Sequence, residues 1–289
     1  MPTPTRALPD RSIRLFLIQL LLIAGGLSLL AAAAEAQLIT MSKECRSQLA
    51  GAESMRQAGN FRGAIDTLEG MTERCDTRDA REQIPVEKAR AYNGLGQFEN
   101  AIAAAEDALE ASDGKNINAL FEKALAQEGL GDTAAAEQSY DRIIALTEKN
   151  ENVAERATIY AKVANLNYRA GNRGKAESYL EQAMLLDPGN PNYHVQRGDW
   201  FVNDGDYERG FESYDRAASM GLRDADLYAL RAEARIRMVQ RKYGTENVQE
   251  LRSRMTESDR NLVCTDLREA LDLGLRDMQL DMFSALVCR

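Results

Sequence analysis

Apolar positions recur along this chain at spacings of three and four, the period of helices that bury one stripe, and a polar turn marked by glycine separates one stripe from the next. The pattern is plainest around the second such turn, where Ala89, Tyr92, Gly96, Phe98, Ala101, Ala105, Ala108 and Leu109 form one apolar stripe on each side of the glycine. Alanine at 89, 101 and 108 lets two helices approach closely. Gly96 supplies the left-handed backbone just past the first helix, where a side chain would cost about 1 kcal/mol. Phe98, one step beyond the turn, is expected to plug the gap between the pair. The same phrase occurs five times: AGNFRGAIDTL (58–68), LGQFENAIAAA (95–105), LGDTAAAEQSY (130–140), AGNRGKAESYL (170–180) and DGDYERGFESY (204–214). Its glycines, Gly59, Gly96, Gly131, Gly171 and Gly205, stand 37, 35, 40 and 34 residues apart. Periods of that size predict a stack of helical hairpins in which each hairpin touches only its neighbours.

These residues resemble the tetratricopeptide repeat, whose pattern has a small residue in the first helix, glycine at the turn, alanine in the second helix and proline at the end. The first-helix position is matched by Ala52, Ala89, Ala124, Ala164 and Gly198. The second-helix alanine is matched by Ala64, Ala101, Ala136 and Ala176, with Gly210 as a conservative departure, and the terminal proline appears once, as Pro188. The resemblance covers roughly residues 42–222. It implies an all-α superhelical solenoid of antiparallel helix pairs, with five units over 37–222. Over 223–289 a sixth unit reads as interrupted. A first helix is expected at 225–242, with Tyr228 and Ala232 in register and no glycine turn after it. An inserted irregular loop follows over 243–258, then a helix over 262–275, where Leu267, Ala270 and Leu271 restore the pattern. A closing helix is expected over 277–288.

The first 36 residues change the picture of where the chain works. Arg6, Arg11 and Arg14 precede an apolar run from Leu15 to Ala34 that ends in Ala34-Glu35-Ala36. This is a secretory signal with a small-x-small cleavage site before Gln37. Twenty apolar residues also suffice to cross a bilayer, so an uncleaved anchor is the alternative. The net charge is −9, and removal of this segment, with three arginines against two acids, makes the remainder more acidic still. An acidic chain argues against nucleic acid as partner.

An even number of cysteines in an exported chain points to disulfides. Four are present, Cys45, Cys75, Cys264 and Cys288. Three pairings are possible, and the geometry of the repeat separates them. Cys45 begins the first helix of repeat one and Cys75 ends its second, so antiparallel helices bring them together. The same logic joins Cys264 to Cys288, and each bridge would tie one end of the array, where a repeat has only one neighbour. The segment 264–288 also resembles the disulfide-closed end of exported bacterial tetratricopeptide proteins.

Little in the sequence points to catalysis. A single histidine, His194, excludes H-E-x-x-H and offers zinc no partner, and no serine sits in a G-x-S-x-G elbow. Gly171-Asn172-Arg173-Gly174-Lys175 is a repeat turn and not a phosphate loop. No metal or organic cofactor is expected. In the family, first helices line the concave binding face. Carried onto this chain, the inward positions include Phe121 and Leu125, then Asn165, Tyr168 and Arg169, then Val195, Asp199 and Asn203. Asn165, Tyr168 and Arg169 would hold an extended peptide by stacking and main-chain hydrogen bonds, or else Tyr168 packs between repeats and Arg169 is solvated. The positions used by family members that grip C-terminal carboxylates of chaperones are here Leu49, Glu53, Glu87, Asn118 and Glu122. Starting one repeat later places Val86 and Arg90 there. Glutamates at such positions argue against that role. Residues 231–260 carry eight Lys or Arg against five acids, a patch that would suit an anionic partner or lipid head groups unless it is a solvated helix face.

The reading that results is a non-catalytic interaction scaffold of the bacterial cell envelope that docks a protein segment in its groove or on the inserted loop. The alternative is a carrier or assembly factor for envelope polysaccharide or peptidoglycan. The periplasm is the expected address, with the outer-membrane surface or the medium as alternatives. The sequence leaves the oligomeric state open.

Overall fold

The computed structural model describes residues 40–149 and 153–288. The expected signal segment and its cleavage site lie outside them. All regular structure among the described residues is helical: α1 (Lys43–Gln57), α2 (Phe61–Thr72), α3 (Arg78–Gly94), α4 (Phe98–Ala111), α5 (Ile117–Gly129), α6 (Thr133–Thr147), α7 (Val153–Arg169), α8 (Arg173–Leu186), α9 (Asn192–Asn203), α10 (Tyr207–Ser219), α11 (Ala225–Tyr243), α12 (Val248–Arg254), α13 (Glu257–Asp272) and α14 (Met278–Val287). They gather into two compact units that divide between Arg142 and Ile143, inside α6. No helix of the described residues is long and apolar enough to cross a membrane.

In both units the helices stack as antiparallel pairs, and the five glycine turns are built alike. Each turn glycine lies in the left-handed region, with φ from 70° to 83°. The residue after it donates its N–H to the carbonyl five residues back: Asn60 to Met55, Gln97 to Tyr92, Asp132 to Gln127, Asn172 to Asn167 and Asp206 to Phe201, at 2.8–2.9 Å. This closes the first helix of each pair with the bond pattern that satisfies its last carbonyls. Three of the second helices then start on a side-chain cap, with Asn60, Asp132 and Asp206 accepting from the backbone N–H three residues on. The expected small residues sit where the helices cross, all eight alanines being at most 1% exposed.

Gly198 and Gly210, which stand where the other repeats have alanine, have a specific cause. A Cβ on Gly198 would lie 2.6 Å from the ring of Tyr214 and 3.1 Å from the carbonyl oxygen of Gly210, and one on Gly210 would lie 2.6 Å from Val202. Tyr214 is 1% exposed, so the ring occupies the volume that alanine fills elsewhere. Gly198→Val should therefore destabilise the protein by about 1–3 kcal/mol through overpacking. A urea titration of the variant against wild type checks this.

Phe98 acts one repeat further than its position in the turn suggested. A Cβ on Gly129, in the first helix of repeat three, would lie 2.4 Å from its ring, and Phe61 meets Gly94 of repeat two in the same way at 2.3 Å. The aromatic after the turn thus seals one hairpin against the next, and the glycine before each following turn makes room for it. α3 departs from the pattern in another way. It starts well before the repeat and carries Pro85 inside it, and its added turns bury Ala80 and Ile84 in the first core.

Both disulfides form, Cys45–Cys75 with 5.9 Å between Cα atoms and Cys264–Cys288 with 5.6 Å. At the C-terminal end the structure corrects the reading of an irregular loop over 243–258. Gly244 does form a left-handed cap, on α11, at φ 64°. α12 then forms within the insertion because Asn247 caps it twice, accepting from the N–H groups of Gln249 and Glu250. Leu251 and Met255 enter the core made by Val239, Val263, Leu267, Leu280 and Phe283. α13 begins at Glu257, earlier than expected, on a Thr256 cap. The insertion is pinned again at Asp259, whose carboxylate takes hydrogen bonds from Lys242, Tyr243 and Thr256. Those from Lys242 and Tyr243 do most to hold its carboxyl below the usual carboxylate range.

Candidate functional site

The first helices of unit one carry a polar ladder. Glu87 of α3 and Glu122 of α5, each 7% exposed, stand nine residues before their turn glycines. Each accepts from the side chain three residues before the preceding turn glycine. Arg56 Nε reaches Glu87 at 3.0 Å, and Asn93 Nδ2 reaches Glu122 at 3.0 Å. Arg90 bridges the two acids, bonding Glu87 on its own helix and Glu122 on the next, the latter at 3.2 Å. Burial alone would lower the Arg90 pKa, but the flanking glutamates outweigh it and hold the guanidinium more firmly charged than usual. Of the glutamates at the chaperone-tail positions, Glu87 and Glu122 are therefore structural, held by neighbouring repeats, while Glu53 stays exposed.

Beside this ladder the three first helices leave a recess of about 250 Å³. Leu49, Val86 and Glu87 line its inner part, and Glu53, Gln83 and Asn118 stand exposed at its edge. Glu87 and Arg90 in its wall are fixed by the ladder, and Glu53, Gln83 and Asn118 place a carboxylate and two amides at its edge.

In unit two the expected groove residues separate into two kinds. Tyr168 is 9% exposed and is not an open stacking platform. Its ring stacks on Trp200 of the next repeat at 4.8 Å with 4° between planes. The Arg173 guanidinium covers its other face at 3.6 Å. Its hydroxyl is shared between the Trp200 carbonyl and Asp204, both at 3.0 Å, and burial raises its pKa. Tyr168 occupies the register of Arg56 and Asn93, three residues before the turn glycine. Side chains there reach onto the next repeat in both units, and that register is the sequence signal that marks Tyr168 as packing. Asn165 stays exposed, with its Oδ1 3.4 Å from Trp200 Nε1, and Arg169 is exposed one turn further along α7.

Asn203, exposed at the end of α9, joins Asp199, Glu233 and Arg237 around a recess of about 220 Å³ between α9 and α11. Arg237 donates to Asn203 at 3.3 Å and pairs with Glu233 at 3.6 Å. Tyr214 closes the base, donating to Asp199 at 2.6 Å, and burial pushes the Asp199 carboxyl up. Phe121 in unit one is half-buried and meets Tyr140 edge-on at 6.0 Å. Leu125 and Val195 are half-buried as well. The basic stretch over 231–260 is largely matched internally. Asp266, 4% exposed, takes Arg231 at 3.2 Å and Arg235 at 2.5 Å. Arg231 also pairs with Asp215, and Arg254 with Glu250.

A sequence profile described as tetratricopeptide repeat matches residues 86–114, 117–150 and 157–190, so the chain carries tetratricopeptide repeats. No functionally curated protein matches it in sequence. Among solved structures it is similar to a tetratricopeptide repeat protein from Parabacteroides merdae, at 15% identity and a TM-score of 0.54 over 86% of this chain and 100% of that one. It is also similar to pilF of Pseudomonas aeruginosa, at 15% identity and a TM-score of 0.53 over 83% and 96%. MamA from Desulfovibrio magneticus gives 15% identity and a TM-score of 0.50 over 63% and 97%. At these identities the likeness is one of fold, an all-α repeat array.

Proposed function

We propose that this array of tetratricopeptide repeats is a non-catalytic scaffold of the bacterial cell envelope that docks an extended segment of a partner protein on its first-helix faces. The observation that carries the reading is the recess over α1, α3 and α5, whose wall residues Glu87 and Arg90 are held in place by the Arg56–Glu87–Arg90–Glu122 ladder. Preset side chains lower the ordering cost of binding. Exposed amides such as Asn118 suit the main-chain groups of an extended peptide. The two disulfides support an oxidising compartment. Together with the signal-like N-terminus they favour export, with the periplasm as the proposed address. The fold supports a protein partner over a nucleic acid, as does the net charge of −9. A glycan carrier would call for open aromatic platforms, and Tyr168 and Trp200 are committed to each other.

The test is recovery of the protein from cells with its partners, comparing wild type with a Glu53→Ala/Gln83→Ala/Asn118→Ala variant and with an Asn203→Ala/Arg237→Ala variant. These side chains are exposed, so folding is expected to be retained. Loss of at least one face should weaken recovery of a discrete partner about tenfold or more, given roughly 1 kcal/mol or more for each contact that matters. Undiminished recovery with both sets removed would sink the reading. Tyr168→Ala is unsuitable for this purpose, because it opens the core between repeats four and five.

A further inference from the structure

The recess beside the ladder is lined by unequal charge. Three acids reach it, Glu53 from α1 and Glu82 and Glu87 from α3, against one base, Arg90. Arg90 is engaged within the fold, since its guanidinium bonds both Glu87 and Glu122, and Glu87 is matched in addition by Arg56. The other two acids are held loosely. The Glu53 side chain is 47% exposed, stands 4.0 Å from Arg56 and takes one bond from Gln57 of its own helix at 3.2 Å. Glu82 meets Arg78 at 3.5 Å, and the Arg78 side chain is 69% exposed, so water screens most of that attraction. The surplus extends beyond the recess. Residues 40–142 carry 12 Lys or Arg against 19 Asp or Glu, and the field over this unit is negative.

We propose, resting on the first-helix faces as the docking surface, that this recess takes a lysine or arginine side chain from a basic, extended segment of the partner protein. At about 250 Å³ it falls below the roughly 300–1,000 Å³ of small-molecule pockets, and one long side chain of a larger partner suits it better. Such a side chain fits both parts of the site. Its hydrocarbon stem lies on Leu49 and Val86, and its charged head reaches Glu53 and Glu82. Gln83 and Asn118 at the edge then bond main-chain groups of the residues on either side. An acidic segment would meet repulsion at the two loosely held carboxylates. The chain's own preceding stretch does not supply the charge, since residues 15–42 contain no Lys or Arg.

Selection from a randomised octapeptide library on the purified, disulfide-intact protein tests this. Among retained peptides, Lys or Arg should be enriched over Asp and Glu at least about fivefold, the equivalent of roughly 1 kcal/mol. Glu53→Gln/Glu82→Gln should abolish that preference. Asp107→Asn/Glu110→Gln, which removes the same charge from exposed positions of α4, should keep it. An unchanged circular dichroism spectrum and melting temperature establish that the variants are folded. If Glu82→Gln is not tolerated, Glu53→Gln alone should weaken the preference at least about twofold. Equal loss in the α4 variant would reduce the effect to net charge and overturn the proposal. Retained peptides that are acidic or indifferent to charge, and that are lost with Glu53→Ala/Gln83→Ala/Asn118→Ala, would overturn it while leaving the docking surface standing. Retention of no peptide would count against both. Binding that appears only after removal of the residues before Thr40 would assign the recess to the chain's own N-terminal segment, and self-association abolished by Glu53→Gln/Glu82→Gln would assign it to a second copy. Either result overturns the proposal.

Discussion

Asp266→Ala is expected to destabilise the C-terminal unit by about 3–5 kcal/mol. The reason lies in what the carboxylate leaves behind. Asp266 is 4% exposed and is held by Arg231 and Arg235 of α11. The two arginine side chains are themselves only 13% and 14% exposed. Removing the acid strands two mostly buried guanidinium groups with one common partner gone. Arg231 keeps Asp215, whose side chain is 63% exposed and contributes little. Arg235 keeps the face of Phe211 at 4.3 Å. Asp266→Asn should recover part of the loss, since the amide oxygen accepts one of the bonds without the charge. Chemical denaturation of the three proteins gives the comparison, and a loss under 1 kcal/mol for Asp266→Ala would show that the pair is open to water.

Reduction of the two disulfides should have a comparable effect at each end. The bridges close loops of 30 and 24 residues, and constraining the unfolded chain over such loops contributes on the order of 3 kcal/mol each. The physical setting adds to this, because an end repeat has one neighbour and is the first to fray. Cys45 and Cys75 lie in the first core with Met41, Leu68 and Ile84. Cys264 lies in the last with Leu267, Leu280 and Phe283. The expected result of Cys45→Ser/Cys75→Ser is early hydrogen exchange confined to α1 and α2, and of Cys264→Ser/Cys288→Ser the same confined to α13 and α14. Uniform loss of protection through both units would mean that the array unfolds as one block and that the bridges stabilise it globally.

The fold was legible because the repeat writes its own punctuation. Glycine at a fixed register gave the turns, and small residues at fixed offsets gave the crossings. Both depend on backbone geometry, which a sequence states directly. The candidate site was legible only in part, for a physical reason that Tyr168 illustrates. Whether an aromatic on a first helix faces a groove or its neighbour depends on what the next repeat supplies, here Trp200 and Asp204, more than 30 residues away, with Arg173 of its own repeat covering the other face of the ring. The Glu87 and Glu122 ladder was hidden in the same way. Each residue is an ordinary surface type until the register of the adjacent repeat places an arginine or an amide against it. The helix within 243–258 is hard to see in the sequence because it is only seven residues long, too short to repeat a periodic pattern, and Val248, Leu251 and the capping Met255 anchor it onto an existing core.

The account rests on the first-helix faces being where a partner protein docks. The most direct measurement places a photo-cross-linking amino acid at Asn118 and Asn203, and separately at Asp66 and Glu212 on the exposed faces of second helices, in cells that make the protein with its own N-terminal segment. The account predicts a discrete cross-linked protein from Asn118, from Asn203 or from both, and none from the second-helix positions. Cross-links only from Asp66 or Glu212, or a discrete product from none of the four, would contradict it.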